Sequence, residues 1–241
     1  MPPSTPRSVP ALLQTLVAGD PTAPRLTFYG ERYADTGERV ELSARVLANW
    51  VAKTANLLEE EFDTGPGTRV ALDLPAHWRT LVWQLAVLST GAHALTGAHE
   101  DADVLVSASA AALGGGPADR VAVSLAPLAT SFGAELPAGV LDYARVVTGY
   151  GDVHAPLAEP APGDGALDGL THGSLLAEAA SAGAAWPVGV RLLTDVGPAD
   201  AVRGPLAAWC RGGSAVLTPD LAALPEAVAA QERVDARLPR T

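Results

Sequence analysis

Cysteine and lysine are almost absent from this 241-residue sequence, which contains one of each, Cys210 and Lys53. A single cysteine excludes an internal disulfide and any paired-cysteine metal cluster. Cys210 lies in the apolar stretch LAAWCRGG, which predicts a small buried side chain. Because lysine is so rare, nearly all of the positive charge is carried by arginine.

Positive charge is scarce overall. The formal net charge is −11, and the basic residues form no stripe along the sequence. Binding to nucleic acid needs such a stripe to replace the counterions of the phosphates, so we expect no nucleic-acid partner. The acidic residues are spread along the chain, a pattern typical of charge that keeps a protein in solution.

Long hydrophobic runs are also missing. No run reaches the ~18 apolar residues of a membrane-spanning helix. The first ten residues, MPPSTPRSVP, lack the apolar core of a signal peptide. These two absences predict a cytoplasmic protein without a membrane partner.

What the sequence does contain is a regular alternation of short apolar runs and helical patterns over its first 130 residues. We predict strands over Leu26–Tyr29, Glu38–Leu42, Thr68–Leu74, Ala92–Thr96, Asp103–Ser107 and Arg120–Leu125. We predict helices from Val9 to a stop at Gly19, from a cap at Ser43 through Glu60, and over Trp78–Thr90. A small Ala-rich helix is expected between the last two strands, and Asp35-Thr36-Gly37 predicts a turn between the first two.

The pattern changes over residues 131–169, where eleven prolines and glycines interrupt the chain. This region is predicted to be an irregular crossing with one short helix, Val140–Val146. Alternation then resumes over residues 170–241. The predicted elements there are helices His172–Ala185, Pro198–Arg211 and Leu221–Arg237 and strands Val190–Thr194 and Ser214–Leu217.

Strands that alternate with helices of this length predict an α/β fold, doubly wound, with mostly parallel sheets and flanking helices. The length suits one large or two small domains. We predict a single domain over residues 1–241, made of a first α/β part (1–130), the irregular crossing (131–169) and a second α/β part (170–241).

Several sequence blocks, read in order, resemble the N-terminal part of adenylate-forming (AMP-binding) enzymes, the superfamily that includes acyl-CoA synthetases. The blocks are LTFYGERYADTGERVELSARVLANW with GTRVALDLP, LVWQLAVLSTGAHALTGAHE, DADVLVSAS, LTHGSLLAEA, and RLLTDVGPADAVRGPLAAWCRGGSAVLTPD. The chain more specifically resembles a small actinobacterial group distantly related to these enzymes. The resemblance implies the fold of their large N-terminal domain, truncated before the small C-terminal lid.

The chain departs from the family where the chemistry is expected. The resemblance implies a nucleotide loop rich in Ser, Thr and Gly, with a Lys, just ahead of the LTHGSLLAEA block. Small residues there let backbone N–H groups wrap phosphates while the Lys supplies positive charge. Here that place reads PGDGALDG, with Asp164 and Asp168 where phosphate oxygens would lie. The family's later metal, ribose and lid motifs do not occur in this sequence.

Five residues are candidates for binding a ligand: Gly163, Gly165, Thr171, His172 and His77. Thr171 and His172 are predicted to open a helix, where Thr can cap and a neutral imidazole can face a cleft. His77 follows a strand end, which in open α/β sheets borders the ligand crevice. For Thr171, His172 and His77 a purely structural role, capping or packing, is the stronger interpretation.

Other sequence patterns are weaker evidence for a functional site. His93 and His99, with Glu100, Asp101 and Asp103 nearby, match no standard metal-ligand spacing, and a solvated acidic turn explains them better. The glycines Gly114–Gly116 follow a helix instead of opening one, so they indicate helix termination. Ser107 and Ser109 lack the sequence context of a hydrolase nucleophile. No residue is assigned a catalytic or metal-binding role.

These observations favour a degenerate, non-catalytic protein with a ligand-binding or regulatory role. No cofactor is expected, although ATP, AMP or CoA are candidates, as is a small acyl or nucleotide ligand near His77, Thr171 and His172. One alternative is an adenylate-forming acyl or aryl ligase completed in trans by another chain. A further alternative is an interaction or scaffold subunit, for which a homodimer or a partner protein is expected to cover an exposed apolar face.

Overall fold

The computed structural model describes residues 6–31, 33, 37–116 and 119–240. The chain forms two compact units, each assembled from separate stretches of sequence. Unit 1 comprises Met1–Ala48, Pro75–Leu81 and Gly173–Thr241, and unit 2 comprises Asn49–Leu74 and Val82–His172. The organisation as a single domain in three parts stays a prediction. Asp35 and Thr36 of the predicted turn lie outside the described residues.

The strands alternate with helices as predicted from the sequence. The strands are β1 (Pro24–Tyr29), β2 (Arg39–Ser43), β3 (Arg69–Asp73), β4 (His93–Thr96), β5 (Val104–Ser107), β6 (Asp119–Ala122), β7 (Val140–Asp142), β8 (Gly165–Leu167), β9 (Leu170–Thr171), β10 (Arg191–Thr194), β11 (Ser214–Leu217) and β12 (Ala236–Leu238). The α-helices are α1 (Val9–Gly19), α2 (Ala44–Phe62), α3 (Trp78–Ser89), α4 (Tyr143–Val146), α5 (Leu175–Ala182), α6 (Ala207–Cys210) and α7 (Glu226–Gln231). The predicted cap of α2 is confirmed, because the Val46 N–H donates to Ser43 Oγ at 3.3 Å.

Unit 1 contains a five-stranded sheet in the order β12-β10-β11-β1-β2. All neighbours are parallel except the β1–β2 pair. The central strands are buried on both faces, as their continuous apolar sequences predict. Tyr29, Leu193 and Val216 pack with Val228 and Ala229 of α7 on one side of this sheet.

Unit 2 contains a seven-stranded sheet in the order β7-β6-β5-β3-β4-β8-β9, with all pairs parallel except β8–β9. The run β4-β3-β5-β6-β7 is the doubly wound order in which the first strand lies between the second and the third. Ala71, Leu105 and Ala122 from three of these strands pack with Leu113 and Ala102. The predicted α/β class with mostly parallel sheets is confirmed.

Three predicted helices differ from the structure, two of them because strand pairing overrides their local pattern. Residues 140–142 of the predicted helix Val140–Val146 instead pair with β6, and only Tyr143–Val146 is helical. The predicted helix Leu221–Arg237 shortens to α7, because Arg233 adopts a left-handed φ of 53° and the chain then pairs with β10 as β12. The predicted helix Pro198–Arg211 is a 3₁₀ turn, a π-helical turn containing Pro205, and α6.

The predicted helix His172–Ala185 begins later than expected, at Leu175. The residues before it form the β8–β9 hairpin, in which Gly165 pairs with Thr171 and Leu167 with Leu170. This hairpin replaces the last part of the predicted irregular crossing. Among the residues that the structure describes, no helix is long and apolar enough to span a membrane.

Candidate functional site

The segment that follows Pro160 occupies the place of the expected nucleotide loop, and its first carboxylate closes a turn. Asp164 Oδ2 accepts the Ala161 N–H at 2.8 Å, and the Asp164 N–H donates to the Ala161 carbonyl at 3.0 Å. The Asp164 carbonyl accepts the His172 N–H at 2.9 Å. The Asp164 side chain therefore stabilises the segment itself.

The second carboxylate of the segment, Asp168, binds strand β4. Asp168 Oδ1 accepts the Thr96 N–H at 2.8 Å, and Thr96 Oγ1 donates to Asp168 Oδ2 at 3.0 Å. The Asp168 N–H donates to the Ala94 carbonyl at 2.9 Å. Asp168 has a left-handed φ of 47°, a conformation that Asp tolerates better than most residues. The Asp168 side chain thus fixes the turn of the β8–β9 hairpin against β4.

The two candidate glycines of this segment have different surroundings. A Cβ added to Gly165 would lie 2.6 Å from Nδ1 of His93, so the missing side chain makes room for the imidazole. A Cβ added to Gly163 would meet nothing within 4 Å. Gly165 therefore has a packing role, whereas Gly163 lies in open space.

Thr171 and His172 lie next to this segment but do not open a helix. Thr171 is in β9, so the prediction that it caps the following helix is wrong. His172 Nε2 lies 3.3 Å from the Ala92 carbonyl and donates to it. Burial lowers the pKa of His172, and the charge of nearby His93 acts in the same direction. Its hydrogen bonds to the Ala92 and Gly91 carbonyls and the charge of Asp164 oppose this shift.

His77, the fifth candidate, lies in unit 1 and is buried. Its Nδ1 accepts the Arg79 N–H at 3.0 Å, and its ring centroid lies 4.4 Å from that of Phe28. This is the geometry of a helix cap at the start of α3. The structure therefore brings Gly163, Gly165, Thr171 and His172 into one segment of unit 2, with His77 in the other unit.

A small cleft in unit 1 borders His77. Thr80 and Leu81 of α3, Val196 and Pro198 after β10, and Leu217 at the end of β11 are among its lining residues. Its free volume is about 10 Å³, room for about one water molecule. The cleft lies at the carboxyl ends of parallel strands, where α/β sheets bind ligands. Any larger ligand must widen it.

The electrostatics of the unit 2 segment are unfavourable for phosphate. No Lys or Arg occurs between Arg145 and Arg191, and residues 160–169 contain no Ser or Thr. The N–H groups of Ala161, Asp164 and Asp168 donate to protein carboxylates or carbonyls. The segment is a closed acidic turn with its carboxylates and these N–H groups already engaged.

Two buried ionic clusters carry functional groups that the sequence did not single out. In unit 1, the Glu232 carboxylate accepts hydrogen bonds from Tyr29 Oη at 2.5 Å, from Arg39 Nε at 2.9 Å, and from Arg191. Burial and the bond to Glu232 raise the pKa of Tyr29 to about 12. Burial alone would raise the pKa of Glu232, but the Tyr29, Arg191 and Arg39 donors lower it. Because Glu232 was predicted to lie in a long terminal helix, nothing local indicated this role.

In unit 2, polar side chains of α2 hold the loop that follows α4. His154 Nε2 lies 3.1 Å from Glu59 Oε2, and both side chains are buried. The Leu157 N–H donates to Glu59 Oε1 at 3.2 Å. Lys53 Nζ donates to the Tyr150 carbonyl at 2.5 Å and forms an ion pair with Asp152 at 2.7 Å. These contacts attach the loop to one face of the helix.

The other residues that were considered from the sequence form hydrogen bonds within the fold or are partly buried. His93 Nε2 donates to the Asp168 carbonyl at 2.7 Å, and His99 Nε2 donates to the Thr96 carbonyl at 3.0 Å. Ser107 Oγ donates to Asp73 at 2.7 Å. Cys210 is half-buried, and burial raises its pKa to about 11, so its thiol stays protonated at neutral pH. Within the described residues, no group of three or more His, Cys, Asp or Glu side chains is suited to a metal ion.

Solved structures of adenylate-forming enzymes share this architecture. An acyl-CoA synthetase from Brucella canis matches 96% of the chain with a TM-score of 0.75 and 16% identity. The fused adenylation–PCP di-domain NpsA-ThdA from Klebsiella oxytoca matches 95% with a TM-score of 0.67 and 15% identity. A fatty acyl-adenylate ligase from L. pneumophila, solved with acyl adenylate and pyrophosphate, matches 96% with a TM-score of 0.67 and 11% identity. The chain therefore has the fold of the N-terminal part of adenylate-forming enzymes.

The chain spans about half the length of these synthetases, covering 47%, 42% and 44% of them respectively. None of the protein-family sequence models matches it. A "TIGR03089 family protein" of Mycobacterium tuberculosis is 38% identical over 236 residues, which cover 92% of this chain and 94% of the relative. The chain belongs to the TIGR03089 family.

Proposed function

We propose that this protein is a non-catalytic protein with the adenylate-forming fold that has a ligand-binding or regulatory role. The observation that carries the proposal is the closed turn of residues 160–172. Asp164 and Asp168 take the place of the hydroxyls and the Lys that the family resemblance implies. Both carboxylates are bound to backbone groups of unit 2.

A phosphate-bearing ligand is disfavoured by the charge of this segment. Two like charges 4 Å apart repel by about 4 kcal/mol at the effective dielectric near a protein surface. With no Lys or Arg between Arg145 and Arg191, the segment itself has no cation to offset that repulsion. We therefore expect ATP and AMP to bind weakly.

An acyl group is the better candidate ligand. The cleft of unit 1 is lined by apolar side chains such as Leu81, Val196 and Leu217, with His77 and Thr80 as polar groups. An apolar chain gains free energy when it leaves water for such walls, and one or two polar groups are enough to orient it. The Brucella canis synthetase and the L. pneumophila ligase are named for acyl chemistry, which agrees with this choice.

The proposal is tested by thermal-shift titration with ATP, AMP, CoA and acyl-CoAs of increasing chain length. We expect acyl-CoA to raise the Tm and the free nucleotides to leave it unchanged. Gly197 lines the cleft and has open space at its Cβ position, so Gly197→Leu should abolish the shift by filling the cleft. Gly19→Leu, at another open glycine of unit 1, is the matched control. No Tm change with any acyl-CoA would refute ligand binding.

The alternative is an adenylate-forming ligase completed by another chain, an idea that follows from the half-length match to the synthetases. It is distinguished by pyrophosphate exchange with a broad panel of carboxylic acids. We expect no exchange above background, because the 160–172 segment lacks phosphate-binding groups. Acid-dependent exchange would overturn the non-catalytic assignment even if acyl-CoA binding were found.

A further inference from the structure

The loop of the β8–β9 hairpin contains one of the two Asp–Gly pairs in the sequence. These pairs are Asp164–Gly165 and Asp168–Gly169. An aspartate that precedes glycine can isomerise without an enzyme, because glycine has no side chain to shield its backbone nitrogen. That nitrogen attacks Cγ of the aspartate and closes a five-membered succinimide ring. In a folded protein the reaction therefore depends on the backbone geometry of the pair and on the bonds that hold the carboxylate.

The backbone of Asp168 has the geometry that ring closure needs. The loop consists of two residues, because Leu167 pairs with Leu170 on either side of it. Asp168 has a φ of 47°, whereas Gly169 has no positive φ. A two-residue hairpin loop with a positive φ at its first residue alone is a type II′ turn, in which the ψ of that residue is about −120°. At this ψ the Cβ of an L-residue eclipses the next backbone nitrogen, as it does in the succinimide ring.

The carboxylate of Asp168 is bound to strand β4 and must leave it to react. Thr96 donates its N–H to Oδ1 at 2.8 Å and its hydroxyl to Oδ2 at 3.0 Å. Both oxygens are thus engaged as acceptors, whereas the reacting carboxyl carries a proton on the oxygen that leaves. Gly169 is exposed, and a Cβ added to it would meet nothing within 4 Å. The rate of the reaction is therefore set by how often Asp168 leaves Thr96.

Asp164 lacks the backbone geometry of Asp168. It has no positive φ, and a negative φ combined with a ψ near −120° lies outside the main allowed regions. The Asp164 N–H donates to the Ala161 carbonyl at 3.0 Å, and its carbonyl accepts the His172 N–H at 2.9 Å. The Asp164–Gly165 pair must therefore rotate out of a hydrogen-bonded conformation before its ring can close.

We propose that Asp168 is a site of spontaneous isomerisation to isoaspartate, which the type II′ turn promotes and Thr96 restrains. The Gly169 nitrogen forms a bond to Cγ of Asp168, and the amide proton leaves with the carboxyl hydroxyl as water. Water then adds to the main-chain carbonyl carbon of the ring and breaks its bond to the Gly169 nitrogen. The chain now continues through Cγ and is one methylene longer, with the new carboxylate on Cα. This modification is independent of the function proposed above.

Incubation of the folded protein at neutral pH and physiological temperature, followed by mass spectrometry of the tryptic peptide 146–191, tests the proposal. This peptide contains both Asp–Gly pairs, and electron-transfer fragmentation assigns isoaspartate to one residue. We expect Asp168 to isomerise at least about fivefold faster than Asp164, because the turn already holds the unusual backbone conformation. In guanidinium chloride the two rates should become similar. Equal rates in the folded protein, a faster Asp164, or a difference that persists in the denaturant would overturn the proposal.

Two variants separate the effect of the turn from that of Thr96. Thr96→Val removes the hydroxyl donor and keeps the backbone N–H, so isomerisation of Asp168 should accelerate about two- to tenfold, the factor that corresponds to one hydrogen bond. Gly169→Ala meets open space and shields the nitrogen with a methyl group, so it should suppress the reaction at Asp168 and leave Asp164 unchanged.

Circular dichroism checks that both variants fold, and should one fail, the wild-type comparison of the two pairs still decides the proposal. A folded Thr96→Val protein that isomerises at the wild-type rate would contradict the restraint by Thr96. A folded Gly169→Ala protein that reacts as fast as the wild type would contradict the assignment of the reaction to this pair.

Discussion

Glu232 of unit 1 and the two aspartates of residues 160–169 in unit 2 are stabilised in two different ways. Glu232 in unit 1 accepts from Arg39, Arg191 and the Tyr29 hydroxyl. Asp164 and Asp168 in unit 2 accept from backbone N–H groups and the Thr96 hydroxyl. The first arrangement is a buried ionic network, whereas the second uses neutral donors. The difference shows that the acidic residues of the 160–169 segment are bonded to backbone and hydroxyl groups of the fold itself.

The largest expected effect is at the ionic network of unit 1. Replacement Glu232→Ala leaves Arg39 and Arg191 without their shared carboxylate, and loss of one partner of a buried ion pair is strongly destabilising. We expect the free energy of unfolding to fall by about 2–4 kcal/mol. This range lies low for a buried ion pair because Arg39 is partly exposed to solvent. Urea denaturation measures the loss. Glu226→Gln, which removes an exposed partner of Arg237, is the control and should cause no measurable change. Equal losses of stability in the two variants would contradict the distinction between the Glu232 network and the exposed Glu226–Arg237 pair.

A smaller effect is expected from a matched pair of glycine substitutions in unit 2. Gly165→Ala places a methyl group against the His93 ring, and overpacking of this kind costs about 1–3 kcal/mol. Gly163→Ala meets open space and should be neutral or slightly stabilising, because it restricts the unfolded chain. Thermal unfolding of the two variants checks this. If Gly165→Ala were as stable as Gly163→Ala, the packing role assigned to Gly165 would be wrong.

The smallest effect concerns alkaline pH and the same network of unit 1. The pKa of Tyr29 is raised from its ordinary value of 10.0 to about 12, so between these pH values the folded state retains a phenol proton that the unfolded state releases. Stability contributed by this group is therefore present below pH 10 and is lost as the pH rises toward 12. Unfolding curves between pH 9 and pH 12 should show a shallower decline for Tyr29→Phe. Identical declines for the two proteins would show that Tyr29 does not titrate as described.

Much of the fold was predictable because it follows from local patterns. The helical spacing of apolar residues predicted α2 and α3, and the apolar run before Pro75 predicted β3. The α/β class follows from their alternation. The hairpin at Gly165–Thr171 and the terminal strand β12 were missed, because their pairing partners are selected by the tertiary structure and not by the adjacent sequence.

The candidate site was predictable only in part. The sequence located the segment that departs from the family's nucleotide loop, with its two aspartates, and the interpretation of His77 as a helix cap agrees with its bond to the Arg79 N–H. The partner of Asp168 is Thr96, 72 positions away in the chain, and no local pattern connects the two. His93 was weighed as a metal ligand and interpreted as part of a solvated acidic turn, although its ring is what Gly165 accommodates. Long-range side-chain contacts of this kind need the folded structure.

The attachment of the loop after α4 to Lys53 has a practical consequence for chemical labelling. Since Lys53 is the only lysine in the sequence, an amine-reactive reagent has a single side-chain target. Its Nζ is engaged by the Tyr150 carbonyl and by Asp152, so the rate of its modification measures how often this loop leaves the helix. The modification rate at Lys53, followed at that residue by peptide mass spectrometry, is thus a selective reporter of loop motion in unit 2.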